Sequence, residues 1–122
     1  MKLYVYSIAP NPTKVRLYLA EKRAGGAKMG VEEISVDFRR GEQKSASHLA
    51  RNPLGKLPVL ELDDGTYLTE SLPIIEYLEE LFPEPALFGR APWERAQVRE
   101  LERISDKGVL IPIGGIIHAT HS

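Results

Sequence analysis

The chain has 122 residues, the length of one domain or of one domain plus part of another, and its 43% apolar content suits a folded globule rather than a disordered chain. Lys and Arg number 16 against 17 Asp and Glu, a net charge of −1 with His neutral, and this mixed-sign balance argues against general binding to nucleic acid or to an anionic membrane. There is no cysteine, which removes disulfides, thiolate metal ligands, Cys nucleophiles and CxxC redox chemistry together, so any thiol chemistry must use the sulfur of another molecule.

The apolar run in Met1–Ser7 is too short for a secretory h-region, and no small-residue cleavage site follows it. The longest charge-free stretch, 108–122, is interrupted by Pro112, Gly114 and Gly115 and falls short of a spanning helix. These features predict a cytoplasmic protein outside the membrane.

Leu3–Tyr6 is a short β-prone apolar run and predicts a buried strand. Asn11-Pro12 predicts a helix start, since Asn is a strong N-cap and Pro is favoured at the first helical position. Val15, Tyr18, Leu19 and Lys22 follow at helical spacing, with Lys22 expected at the rim, and Gly25-Gly26 ends the helix. Ile34, Val36 and Phe38 alternate with polar residues, so Val31–Phe38 reads as a second strand. Strand, helix, strand makes a βαβ unit with parallel strands.

The polar segment Gly41–Arg51 reads as a short exposed helix. Pro58–Leu62 and Thr66–Thr69 flank Asp63-Asp64-Gly65, a hairpin signal. Ser71 is expected to cap a helix whose apolar face is Ile74, Ile75, Leu78 and Leu81/Phe82, and Pro83 and Pro85 stop it. Residues 1–82 therefore read as a βαβ-α-ββ-α domain of the α/β class with a mixed four-stranded sheet. Proline-rich 83–92 reads as a linker. Trp93–Lys107 reads as a charged amphipathic helix carrying Trp93, Val98, Leu101 and Ile104 inward. Val109–Ile117 continues as an apolar run with no polar face, as expected of a helical layer whose remaining helices are missing.

Three clusters carry chemistry. Ser7-Ile-Ala-Pro-Asn11-Pro12 joins a strand to a helix N-terminus, where backbone N–H groups and the dipole favour an anion, a thiolate included. Asn11 either caps that helix or adds its amide to such a site. Asn52-Pro53-Leu54-Gly55-Lys56-Leu57-Pro58 precedes a strand; Pro58 either starts it in trans or forms a cis turn that leaves the Leu57 backbone at a sheet edge for an added peptide. Glu70-Ser71 opens the next helix. There Ser71 either caps the helix or holds a ligand carboxylate, with Glu70 beside it for an ammonium, a pairing that suits an α-amino-acid end. His48, His118 and His121 are too widely spread for a metal site, so no metal is expected, and no Gly-rich phosphate loop or GxSxG motif is present.

Together the three clusters, in this order, resemble the glutathione transferase family: a short strand, the Ala9-Pro10-Asn11 turn, the Asn-Pro-Leu-Gly-Lys-Leu-Pro-Val-Leu stretch, then Glu70-Ser71-Leu-Pro-Ile-Ile-Glu-Tyr-Leu. The specific motifs lie within residues 1–82. The part from 93 to 122 looks like the first helix of the family's all-helical second domain, left incomplete. The resemblance implies a thioredoxin-like first domain and a cis Pro58. It implies that the Leu57 backbone, fixed by Pro58, pairs with the cysteinyl part of glutathione, that Glu70 and Ser71 hold the γ-glutamyl end, and that Lys56 and Gln43 face the glycine carboxylate. The family usually places a Tyr, Ser or Cys beside the sulfur. Here the register puts that slot on Ile8 or Ala9, which have neither hydroxyl nor thiol. Asn11 is the remaining side-chain donor, as in the nu-class bacterial enzymes with an Asn after Thr-Pro; Ala9 replaces that Thr, and Ser7 is a second candidate.

The implied function is a glutathione S-transferase, stabilising the glutathione thiolate for attack on a small electrophile, with glutathione as co-substrate and a homodimer as the expected assembly. Ala9 also motivates a non-catalytic glutathione-binding module of the same fold. Glutathione-dependent disulfide reduction is a third reading: the absent cysteines exclude redox on a thiol of the protein but not chemistry using two glutathiones.

Overall fold

A computed structural model describes residues 1–107. The apolar segment Val109–Ile117 lies outside the described residues. Four strands form one sheet in the order β2-β1-β3-β4, with β1 at Lys2–Val5, β2 at Glu32–Ser35, β3 at Val59–Glu61 and β4 at Tyr67–Thr69. β1 runs parallel to β2, from Lys2 opposite Glu32 to Val5 opposite Ser35, and antiparallel to β3, with Tyr4 opposite Val59. β3 and β4 close the expected hairpin, with Leu60 opposite Leu68. Gly65 turns it at a φ of 86°, and Asp64 Oδ1 accepts the Thr66 N–H at 2.9 Å. This is the thioredoxin-like α/β arrangement of βαβ followed by ββα.

Strand alternation divides the core in two. Leu3, Val5 and Leu60 face helix α1, Pro10–Ala24, through Val15, Tyr18 and Leu19, and helix α3, Ser71–Leu81, through Ile74, Ile75 and Leu78. Tyr4, Tyr6, Leu57 and Val59 face the other way and join Ala9 and Val36. The segment that covers this second face is not one helix. It makes two 3-10 turns, Phe38–Arg40 and Glu42–Lys44, and then helix α2, Ala46–Arg51. The segment was expected to be exposed, yet His48 on α2 is fully buried, and the Arg51 guanidinium lies 4.0 Å from the Tyr4 ring centroid.

Both anticipated helix starts shift. α1 begins at Pro10, with Ala9 in the cap position and no side-chain cap, so Asn11 lies inside the first turn. Either proline can hold a first-turn position, because the missing N–H is no loss there. α3 begins at Ser71, with Glu70 in the cap position, so Ser71 does not cap it.

Lys22 corrects the rim expectation: its side chain is fully buried. Its Nζ donates to the Phe82 carbonyl, to the Pro85 carbonyl at 2.6 Å and to Glu79 Oε1 at 3.0 Å. Tyr18 donates its hydroxyl to Glu79 Oε1 at 2.6 Å, and the Leu87 and Phe88 N–H groups donate to Oε2 at 2.9 and 3.2 Å. Burial pushes the Glu79 carboxyl upward, but the bonds from Tyr18, Lys22, Phe88 and Leu87 outweigh it and hold the group below its ordinary value. Burial and the bond to Glu79 push the Tyr18 hydroxyl well up. A charge this deep survives only because every polar atom on it has a partner.

Helix α4, Pro92–Ser105, overturns the expected inward face. Trp93, Leu101 and Ile104 are 72%, 64% and 61% exposed, and only Val98 packs on the main core. The helix is held by its charged side instead: Lys14 of α1 bonds Glu102, and Arg99 bonds Glu76 of α3 at 2.5 Å. No described residue covers the Trp93–Leu101–Ile104 stripe. No described helix is long and apolar enough to cross a membrane.

Candidate functional site

A cleft of about 490 Å³ opens where four segments meet, a size within the range of ligand pockets. Asn11 lines it from the start of α1. Asn52, Lys56, Leu57 and Pro58 line it from the loop before β3. Glu70, Ser71, Leu72 and Pro73 line it from the start of α3, and Arg103 of α4 and Asp106 just after that helix close it. Six of the eight residues singled out from sequence thus meet at one place. Ser7 and Gln43 are not among the lining residues. Ser7 is exposed after β1. Gln43 sits in the second 3-10 turn, its Oε1 buried without a hydrogen-bond partner among the described residues.

The opening of α1 offers fewer donors than a helix start usually does. Four N–H groups normally lack partners there. Here Pro10 and Pro12 have none to give, and the Ala9 N–H is already donated to the Tyr6 carbonyl at 3.1 Å. The Thr13 N–H goes to the Ala9 carbonyl at 3.2 Å. The Asn11 N–H is what remains, together with the Asn11 side-chain amide. Backbone and side-chain donation to an anion therefore converge on one residue.

The second wall is built by a clamped loop. Asn52 accepts the Leu54 N–H on Oδ1 at 3.1 Å and donates from Nδ2 to the Lys56 carbonyl at 3.2 Å. His48 Nε2 lies 3.1 Å from the same carbonyl. Gly55 turns the loop at a φ of 68°, and a Cβ there would come 3.1 Å from the Gln43 carbonyl oxygen. The Leu57–Pro58 peptide is cis, in line with the resemblance. The β1–β3 ladder begins at Val59, so the Leu57 backbone lies just outside it.

On the third wall Glu70 adopts a φ of 75° and a ψ of 136°, a conformation that side-chain-bearing residues rarely hold. Strain of this kind collects at functional sites because the surrounding fold has to enforce it. Ser71 follows at the first position of α3, buried and among the residues that line the cleft. Pro73 has no N–H, so the free main-chain donors at this helix start come from Ser71 and Leu72.

Arg103 and Asp106 were missed from sequence. They bond to each other, Arg103 reaches Glu102 at 3.0 Å, and Lys14 lies 3.5 Å from Asp106. Their i, i+3 spacing was the available signal, but it does not say which helix face meets the cleft. His48 was weighed only as a metal ligand. Its place under the Lys56 carbonyl has no sequence signature. Among the described residues no three His, Asp or Glu side chains gather as a metal ion would require.

With this geometry the similarity to known proteins is specific. The family model described as the glutathione S-transferase N-terminal domain matches residues 3–86. The chain is 36% identical to a maleylacetoacetate isomerase of Pseudomonas aeruginosa over 124 aligned residues, covering 100% of this chain and 52% of the relative. Among solved structures, a glutathione S-transferase domain-containing protein of Marinobacter aquaeolei superposes with a TM-score of 0.84 at 39% identity, over 97% of this chain and 56% of that one. A glutathione transferase homologue from Sulfitobacter, solved with bound glutathione, superposes with a TM-score of 0.74 at 28% identity, over 85% of this chain and 47% of that one. The chain belongs to the glutathione S-transferase family. It spans about half the length of the curated relatives it matches.

Proposed function

We propose that the cleft binds glutathione and keeps its sulfur as the thiolate beside Asn11, for attack on an electrophilic carbon. The observation that carries this reading is convergence: Asn11, Lys56–Pro58 and Glu70–Ser71 stand far apart in sequence and line one cleft. Their chemistry divides along the tripeptide. The Glu70 carboxylate suits the γ-glutamyl ammonium. The Ser71 hydroxyl, with the N–H groups of Ser71 and Leu72, suits the α-carboxylate beside it. The Leu57 main chain suits the cysteinyl backbone, and Lys56 suits the glycine carboxylate. Ser7 and Gln43 drop out of this reading because they do not line the cleft.

A free thiol has a pKa near 8.5, so only a few per cent is thiolate at neutral pH. A helix dipole and donors contributing about 1–2 kcal/mol lower that by about one unit. The thiolate then forms a sulfur–carbon bond while the leaving group departs with the bonding electron pair, the thiol proton having already passed to solvent. In this reading the segment from Trp93 opens a helical second domain that lines the electrophile side, the protein works as a cytoplasmic homodimer, and substrate choice belongs to the whole assembly.

A second reading, a glutathione-binding module without catalysis, is favoured by Ala9: the residue capping α1 has no hydroxyl for the sulfur. Ultraviolet absorbance of bound glutathione against pH separates the two. A bound thiol titrating about one unit below free glutathione, with conjugation of an aromatic halide, supports the transferase. Binding with an unshifted thiol supports the module. Failure to bind glutathione ends both.

A further inference from the structure

His48 is a fully buried titratable side chain beside the cleft that takes no part in the chemistry above. A carbonyl oxygen can only accept, so the contact to Lys56 puts the proton on Nε2. Nδ1 is then a bare lone pair, and it has no partner among the described residues. An imidazolium would leave a buried donor unmatched there, so the site selects the neutral ring. Burial, and to a lesser degree the Arg51 charge, push the His48 pKa below the ordinary imidazole value, more than the Lys56 and Gly55 backbone raise it.

What the bond controls is a neighbouring atom. The Lys56 carbonyl and the Leu57 N–H belong to one planar trans peptide and point in opposite directions. His48 from α2 and Asn52 from the loop both donate to that carbonyl, at 3.1 and 3.2 Å. Two donors from different directions fix the rotation of the peptide plane, and the Leu57 N–H is turned away from them. We propose that His48 is a positioning residue: its Nε2–H holds the Lys56 carbonyl and so aims the Leu57 N–H that docks the cysteinyl backbone of glutathione. The inference rests on the glutathione reading of the cleft.

The test measures grip with the sulfur silenced. Calorimetric binding of S-methylglutathione to the full chain is compared for wild type, His48→Phe and His48→Gln. The Phe variant keeps a ring without a donor and is expected to bind about fivefold to tenfold more weakly. The Gln variant carries an amide N–H in place of Nε2–H and is expected within about twofold of wild type. Two folded variants that bind like wild type, or that weaken equally, overturn the proposal. If the Phe variant does not fold, nitrogen NMR of the wild-type ring decides. A neutral Nε2–H tautomer whose proton resists exchange supports the clamp, and an Nδ1–H tautomer overturns it. A wild-type chain that binds neither glutathione nor S-methylglutathione overturns the glutathione reading itself, a result distinct from an unaffected His48→Phe.

Discussion

Two regions of the molecule, the pair buried between α1 and α3 and the cleft at the starts of those helices, handle polar groups differently. Behind α1 and α3 a whole ion pair is submerged, and its acceptors are filled: Lys22 reaches two carbonyls and Glu79, and Glu79 takes four donors. At the cleft and just behind it, donors and acceptors are left over. His48 Nδ1 and, outside the cleft lining, Gln43 Oε1 have no partner among the described residues. The Asn11 N–H is unspent among the described residues, and Glu70 is held at a positive φ. A satisfied network fixes one structure and has nothing left to offer a ligand. An unsatisfied one lowers stability and retains binding capacity.

The sharpest way to break this contrast is Lys22→Met. It strands the Glu79 charge and frees the 82–88 segment, and urea unfolding is expected to show a loss of about 3–5 kcal/mol, with glutathione affinity of the folded fraction unchanged. A loss below about 1 kcal/mol would mean that the pair is no more than a surface bridge. Glu70→Gly should behave in the opposite way. It removes the carboxylate and relieves the strained φ, so affinity falls at least about tenfold while the midpoint of unfolding holds or rises. A fall in both would make Glu70 a structural residue. Asn11→Ala is expected to raise the pKa of the bound glutathione thiol by about one unit with stability unchanged, read from thiolate absorbance.

The smallest effect separates the two regions by pH. The folded pKa of His48 is depressed, so the unfolded chain binds the extra proton first. The stability tied to a neutral His48 is present above about 6.5 and is lost as pH falls below it. Glu79 is depressed as well, so its contribution is present above the ordinary carboxylate value near 4.5 and is lost below that. Denaturant midpoints should therefore decline in two stages on acidification, and His48→Gln should remove the upper stage alone.

The elements up to Leu81 were largely legible because each has a local signature: a short β-prone apolar run at β1, alternation near β2, Asp-Gly at the hairpin, and apolar spacing along α3. The cleft was legible through three motifs read jointly, although none points to a ligand alone. Lys22 was not legible, because a cation one turn past Tyr18 reads as a rim residue, and its partners Glu79, Phe82 and Pro85 come much later in the chain. The face of α4 was misread for a related reason. Its apolar stripe was assumed to point inward, whereas Val98, Glu102 and Asp106 make the contact and the stripe stays bare. The helix starts were misplaced because Asn and Ser are strong cap formers in sequence, whereas Ala9 and Glu70 hold the cap positions.

Pro10 and Pro12 subtract hydrogen-bonding capacity from the mouth of α1. Phosphate and sulfate spread their charge over several small oxygens, each needing its own hydrogen bond, and a single main-chain amide satisfies them poorly. A sulfur anion is larger, softer and more weakly hydrated, and one amide with a side-chain carboxamide goes far toward stabilising it. In the glutathione reading, Pro10 and Pro12 bias that pole toward a soft anion by withholding donors from the hard oxyanions that compete for most helix starts.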